Sequence, residues 1–274
     1  MKENPSRLFD LSDKLAVVSG AASSMGKASA VALAAHGATV VMLDRNEDGL
    51  AATAAEIAAA GGRAVPRVHD TSSVEAAARL FDWIDAEFGR VDFLANVAGE
   101  SIMSDPLTIT PEQIRQVLEN LVVGRFALCR QAACRMIRQG GGSIVNIGSI
   151  GGMTSLGRGH IAYAMAMGAV AQMTRELSTE WAARGVRVNA ILPAQVTNPG
   201  IEKRIADNPA MKDKWLSGIP VGRLGRPEDI QGLMVLLASD ASSFITGAII
   251  PMDGGNLAMN AGGSIGPKTS GDDA

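Results

Sequence analysis

The run Ser19-Gly20-Ala21-Ala22-Ser23-Ser24-Met25-Gly26-Lys27 joins an apolar stretch to an Ala-rich one. Small side chains let a backbone approach a pyrophosphate. A helix that opens there adds free N–H groups and the positive end of its dipole. Gly20, Ser23, Ser24, Met25 and Gly26 are therefore candidate cofactor-binding residues. Alone, the run is equally an ordinary tight turn between a strand and a helix. Asp44, 24 residues after Gly20, strengthens the first reading. A carboxylate there accepts hydrogen bonds from both hydroxyls of an adenosine ribose and repels a 2′-phosphate, which favours NAD over NADP. It would serve as well to cap the next helix. Arg45 pulls the other way, because a guanidinium pairs with a 2′-phosphate.

Positioning these groups requires strands that end where the turns begin. Short β-branched runs at Leu15–Ser19, Thr39–Leu43, Ala64–His69, Phe93–Ala95, Ser143–Ile147, Val186–Leu192 and Ala248–Pro251 alternate with Ala-rich helical patterns. The runs are apolar nearly throughout, as expected of strands covered on both faces. Val74, Ala77, Leu80, Phe81, Ile84 and Phe88 form a stripe at helical spacing. Such alternation predicts an α/β protein of Rossmann type, a doubly wound parallel sheet in a single domain. Its expected limits are residues 11–256, after a lead over 1–10 and before a Gly/Ser/Asp-rich tail over 257–274. Residues 195–220 are expected to form a long polar loop over a pocket.

Further motifs follow in order: Asp70-Thr71, Asn96-Val97-Ala98-Gly99, Asn146-Ile147-Gly148-Ser149, Tyr163, Arg187-Val188-Asn189-Ala190, Pro193, Arg226-Pro227-Glu228-Asp229 and Asp253-Gly254-Gly255. On these the chain resembles the short-chain dehydrogenase/reductase family. The resemblance implies a seven-stranded sheet of order 3-2-1-4-5-6-7. It places Asp70 against the adenine, Asn96 and Gly99 beside the cofactor, and Pro193 and Val196 against the nicotinamide, with Thr71, Ala98, Ile147 and Tyr163 along the same cofactor. It implies a catalytic pair: Tyr163 transfers the proton and Ser149 holds the substrate oxygen. The expected activity is NAD(H)-dependent interconversion of an alcohol and a ketone or aldehyde.

Five positions depart from the family pattern, among them Ala194 in place of the glycine after Pro193. Met167 stands four residues after Tyr163, where the family carries a lysine that binds the nicotinamide ribose and favours the tyrosinate. Leu121 stands where the family has an asparagine, with Asn120 one residue earlier and expected to face elsewhere unless the helix bulges. Ser24 replaces a glycine, and Asn198 a threonine. A tyrosine with no cation beside it titrates near 10, so turnover through it would climb into the alkaline range. His160 and Glu100 are the alternative bases. Two further readings stay open: a nucleotide-binding protein without redox turnover, and a non-redox enzyme that uses Ser149 and Tyr163 to polarise an oxygen.

Composition narrows the partners. With 47% apolar and 19% charged residues the chain is globular, and a net charge of −3 leaves no nucleic-acid footprint. No apolar run is long enough for a membrane span, and the first ten residues hold no signal-peptide core, so a cytoplasmic location is expected. Cys129 and Cys134 lie five apart in a helical pattern, and neither a disulfide nor a metal site is expected. Small and apolar residues over 162–183 suit close helix packing, and the family pairs this helix across a two-fold axis. A homotetramer, or a dimer as its fragment, is expected.

Overall fold

The computed structural model describes residues 7–259, so the lead and the tail fall largely outside the described residues. Seven strands form one parallel sheet: β1 (Leu15–Ser19), β2 (Thr39–Asp44), β3 (Arg63–Val68), β4 (Phe93–Asn96), β5 (Gly142–Ile147), β6 (Val186–Pro193) and β7 (Ile249–Met252). Their order is β3-β2-β1-β4-β5-β6-β7, as the resemblance implies. Because successive side chains alternate between faces, two separate cores form. On one face Ala16, Val18, Val40, Met42, Phe93 and Val145 pack under α1 (Ser24–Ala35), α2 (Glu47–Ala59) and α9 (Gln231–Ala238). On the other, Leu15, Val17, Val41, Leu94, Ile144 and Val188 pack under α3 (Val74–Phe88), α5 (Gly124–Arg138) and α6 (Ile161–Trp181).

The strands differ from the sequence reading at the edges. β3 is an edge strand, and Arg63, Pro66, Arg67 and Val68 on it are exposed. Pro66 is tolerated there because an edge strand has no second neighbour that needs its missing N–H. The apolar character expected of every strand therefore holds for the central ones and fails at this edge. Residues 195–220 are also not a plain loop. They contain α7 (Pro199–Asp207) and α8 (Ala210–Leu216). Asn198 caps α7 by accepting the Ile201 N–H at 2.9 Å, and Pro199 occupies the first helical turn, where its missing N–H costs nothing. Ile201, Ile205 and Met211 then pack against Trp215, Ile219 and Leu224.

Between α4 (Pro111–Leu118) and α5 the helix takes one turn of π-helix, Glu119–Val123. Gly124 follows at a close crossing: a Cβ on it would lie 2.0 Å from the Thr71 carbonyl oxygen. This contact pins the start of α5 against the loop that leaves β3.

Candidate active site

The chain order reverses between β1 and β4, so the loops leaving these strands splay apart at their carboxyl ends and open a crevice. Ser19 ties its two walls together. Its hydroxyl accepts the N–H groups of Val97 and Ala98 at 3.0 and 3.1 Å. Gly20 takes φ +73, and Ser24 takes φ +48 although it carries a Cβ. A glycine, which the family pattern carries at this position, takes the left-handed region freely, whereas Ser24 holds it at a cost of about 1 kcal/mol or more. Ser23 stands at the N-cap of α1, yet its side chain accepts no capping hydrogen bond. The first N–H groups of α1 are left for a ligand.

Two adjoining cavities, each about 290 Å³, fill the crevice and share Met25, Val97 and Gly99 in their walls. The first is walled by Gly20, Ser23, Ser24, Gly26, Asp44, Arg45, Thr71 and Ala98, all singled out in the sequence, together with His69, Glu100 and Asn120. The second brings Ser149, Tyr163, Ile147, Pro193 and Val196 together with Leu121, Arg125, Met167, Asn198 and Ile201. A larger cavity of about 970 Å³ sits at the amino ends of the strands, around Arg90 and Gly185. It lies away from the end at which parallel sheets bind ligands.

Two candidates turn away from the crevice. The Asn96 side chain is buried in the sheet, donating to Asn146 Oδ1 at 3.0 Å and to Cys129 Sγ at 3.2 Å. The Asp70 carboxylate accepts the Ser72 N–H and hydroxyl at 3.0 and 2.7 Å, which hold it below the usual carboxylate range. Asp70 lies outside the walls of both cavities, and its neighbours His69 and Thr71 line the first instead. His69 is buried, which keeps its pKa below the ordinary 6.5, and its Nε2 has no partner among the described residues.

At the far end of the first cavity, Asp44 Oδ2 accepts the Ala22 N–H at 3.2 Å and Oδ1 accepts the Asn46 N–H at 3.0 Å. Each oxygen keeps a further lone pair for a hydroxyl. Arg45 forms an ion pair with Glu100 across the mouth. Glu100 also donates its N–H to Asn120 Oδ1 at 2.9 Å. Asn120 therefore faces the first cavity, while Leu121, one residue on, projects into the second. The helix does bulge here, but the π-turn leaves Leu121 at the site.

His160 stands at the N-cap of α6. Its Nδ1 lies 3.0 Å from the Gly157 carbonyl oxygen and 2.9 Å from that of Arg158. Its ring meets Tyr163 edge-on, with centroids 6.1 Å apart. Met167 is 2% exposed and packs with Leu121, Val117, Ala162, Ala166 and Val170. Arg125 escaped the sequence reading. It is buried, and its guanidinium donates to the carbonyls of Ile147 and of Ala98, the latter at 2.9 Å.

The crevice fits a dinucleotide on geometry alone. A Cβ on Gly26 would stand 2.0 Å from the Gly20 carbonyl oxygen, so the turn and α1 touch backbone to backbone. The unpartnered His69 Nε2 adds a polar contact near the open N-terminus of α1. Among the described residues no His/Cys/Asp/Glu cluster suits a metal ion, and no helix is long and apolar enough to cross a membrane. Cys129 and Cys134 are both free.

Residues 20–256 match the family model described as enoyl-(acyl carrier protein) reductase. The chain is 38% identical over 251 residues to galactitol 2-dehydrogenase (L-tagatose-forming) of Cereibacter sphaeroides, covering 90% of this chain and 96% of that one. It is 37% identical over 252 residues to D-threitol dehydrogenase of Mycolicibacterium smegmatis, covering 90% and 94%. The crystal structure of a gluconate 5-dehydrogenase from Burkholderia cenocepacia, in complex with NADP and tartrate, superposes with a TM-score of 0.87. That match has 27% identity and covers 93% of this chain and 99% of the other. The chain belongs to the short-chain dehydrogenase/reductase family, and it is an oxidoreductase that interconverts an alcohol and a carbonyl group with a nicotinamide cofactor.

Proposed function

We propose that the chain is an NAD(H)-dependent dehydrogenase of small polyhydric alcohols, with Tyr163 as the proton-transferring residue and Ser149 as the anchor of the reacting oxygen. The observation that carries this reading is the meeting of Ser149 and Tyr163 in one cavity with Pro193 and Val196, continuous with the Asp44 crevice. When bound, the nicotinamide supplies the hydride acceptor or donor. Pro193 and Val196 would wall its ring, and Gly20, Ser24 and Gly26 would leave room for the pyrophosphate. During oxidation Tyr163 takes the hydroxyl proton of the substrate, and during reduction it returns one to the carbonyl oxygen. Ser149 Oγ accepts the Gly151 N–H at 3.1 Å, which orients its own O–H toward another acceptor.

A polyol is favoured by the polar walls next to this pair. Thr154, Ser155, Gln195 and Asn256 line a neighbouring cavity of about 580 Å³. Gln195 Oε1, buried without a partner among the described residues, is an acceptor for a hydroxyl. The relatives named for galactitol and D-threitol agree with this class. Purified protein should reduce NAD+ with at least one member of a panel of four- to six-carbon polyols. If none reacts while NADH still binds, the second reading takes over: a nucleotide-binding protein without turnover. The apolar pair Leu121 and Met167 favours that second reading.

For the cofactor, NADH should bind more tightly than NADPH. Arg45 is held by Glu100, whereas Asp44 keeps lone pairs free for the ribose. Asp44→Ala should narrow the difference by about tenfold, the scale of one charge-assisted hydrogen bond pair. Equal NADPH affinity in the wild type, by fluorescence titration, would overturn the choice of NAD.

For assembly, Val123 at the end of the π-turn, Phe126 in the first turn of α5, and Ile161 and Met165 on α6 are large, apolar and 38–47% exposed. Such a face on two neighbouring helices suits two-fold packing. A homotetramer in the cytoplasm is the proposed state, and light scattering at micromolar concentration should give a mass of two or four chains. A monomer would contradict it.

A further inference from the structure

Replacing the usual lysine with Met167 and the usual asparagine with Leu121 leaves the α6 side of the second cavity apolar. These two side chains belong to one buried apolar cluster. Yet the cavity is not without charge. Of the fifteen residues that line it, Arg125 alone is charged. Its side chain enters from α5, four residues beyond Leu121, and is 4% exposed. No carboxylate pairs with it among the described residues. Its partners are two carbonyls, Ile147 at the end of β5 and Ala98 in the loop after β4. They take two of five N–H donors. A buried cation without a counter-ion is costly unless something else in its cavity compensates it.

We propose that Arg125, reaching the cavity floor from α5, is the cation that faces Tyr163 and the cofactor ribose in this chain, in place of the side chain that position 167 no longer provides. The inference rests on the dehydrogenase reading for its purpose but not for its test.

The neighbouring groups agree. Burial pushes Arg125 down to about 10, while the negative forms of Cys129 and Tyr163 act in the opposite direction. It therefore stays protonated at neutral pH. Cys129, on the same helix, is pushed up to about 12 by burial and stays a neutral thiol. Tyr163 from α6 is then the one facing group whose charge the reaction changes. The His160 ring, edge-on to Tyr163, is the other titratable group beside the phenol. Attraction is mutual, so a cation that gains from a tyrosinate also favours it. The two carbonyls fix the guanidinium between the loops that flank the cofactor.

The test uses the single tyrosine of the chain. Ultraviolet titration of tyrosinate in the cofactor-free protein reads Tyr163 alone. In Arg125→Met and Arg125→Gln the tyrosinate signal should rise about one to two pH units later than in wild type. NADH affinity should fall about tenfold, and the alkaline limb of kcat/KM for polyol oxidation should shift with the tyrosinate signal. Arg125→Lys should keep most of the wild-type behaviour. Arg125→Met combined with Met167→Lys should bring the tyrosinate rise back toward wild type, because the cation then returns from α6. A purely structural role for Arg125 would not allow that rescue. If Arg125→Gln is folded by circular dichroism and its tyrosinate titration superposes on wild type, the proposal fails. It also fails if the double variant titrates no earlier than Arg125→Met. Absence of polyol oxidation in wild type would instead sink the dehydrogenase reading and leave the titration result standing.

Discussion

Replacing Tyr163 by phenylalanine is expected to lower turnover by about a thousandfold or more while NADH affinity changes by less than about threefold. General acid–base catalysis by one placed group contributes on the order of 10²–10⁴. The upper part of that range applies because no other side chain on the second cavity's wall exchanges protons near neutrality. The two alternatives weighed from the sequence are tied elsewhere. His160 is absent from the cavity wall, and its Nδ1 is engaged with the carbonyls of Gly157 and Arg158. Glu100 lines the other cavity and is paired with Arg45. Loss of one hydroxyl from a half-buried ring leaves the packing of α6 in place, so melting temperature should move by only a few degrees. Steady-state rates with the best polyol, alongside fluorescence titration with NADH, decide the matter. If Tyr163→Phe keeps a tenth of wild-type turnover, the tyrosine mechanism is wrong, and His160→Ala becomes the next variant to assay.

Met167→Lys would restore the residue that the family carries at this position, but on its own it is not expected to raise turnover. In the structure that position is sealed among Leu121, Ala166 and Val170, and a buried guanidinium already lines the same cavity. A second cation there would meet repulsion and no carboxylate. The substitution makes sense only where Arg125 has been removed.

What was legible depended on how local the signal was. The turn at Gly20 and the carboxylate at Asp44 announce themselves because a strand, a turn of small residues and a helix follow one another without interruption. The crevice between β1 and β4 follows from chain order. The helices α7 and α8 were harder. Prolines at 199 and 209 read as interruptions, although Asn198 followed by Pro199 is a helix start. β3 was misjudged because edge and centre depend on the partners of a strand, which lie far away in sequence. Asn96 and Asp70 show a different limit: the motif fixes where the backbone goes, but the side chain turns toward whichever partner the fold supplies. Asn96 finds Asn146 and Cys129, and Asp70 finds Ser72. Arg125 was missed because a charged residue on a helix is ordinarily a solvent-facing one. The available signal was its register, four residues after Leu121 on a stripe that continues through Leu128, Cys129 and Ala132, all buried.

Gly26→Ala should abolish measurable NADH binding, a loss of at least about a hundredfold, although the substitution adds only one methyl group. In most helices alanine is the better residue, by about 1 kcal/mol over glycine. Here the added Cβ would lie 2.0 Å from the Gly20 carbonyl oxygen and 2.4 Å from its carbon, with Ala21 N at 3.1 Å. All three are backbone atoms, so no rotamer change relieves the clash. Either α1 tilts away from the sheet or the turn opens. α1 buries Ala28, Ala30 and Leu33 against β1 and β2, which resists tilting. The turn yields more easily, because Gly20 and Ser24 hold left-handed conformations, Ser24 at a cost in strain that opening relieves. Opening it moves the N–H groups at the start of α1 and the Ala22 N–H that Asp44 accepts. The pyrophosphate and ribose contacts would then be lost together, each worth roughly tenfold or more in affinity. Isothermal titration with NADH, at a temperature where circular dichroism shows the variant folded, measures this directly. Binding within tenfold of wild type would mean that the crevice does not take its cofactor along this turn.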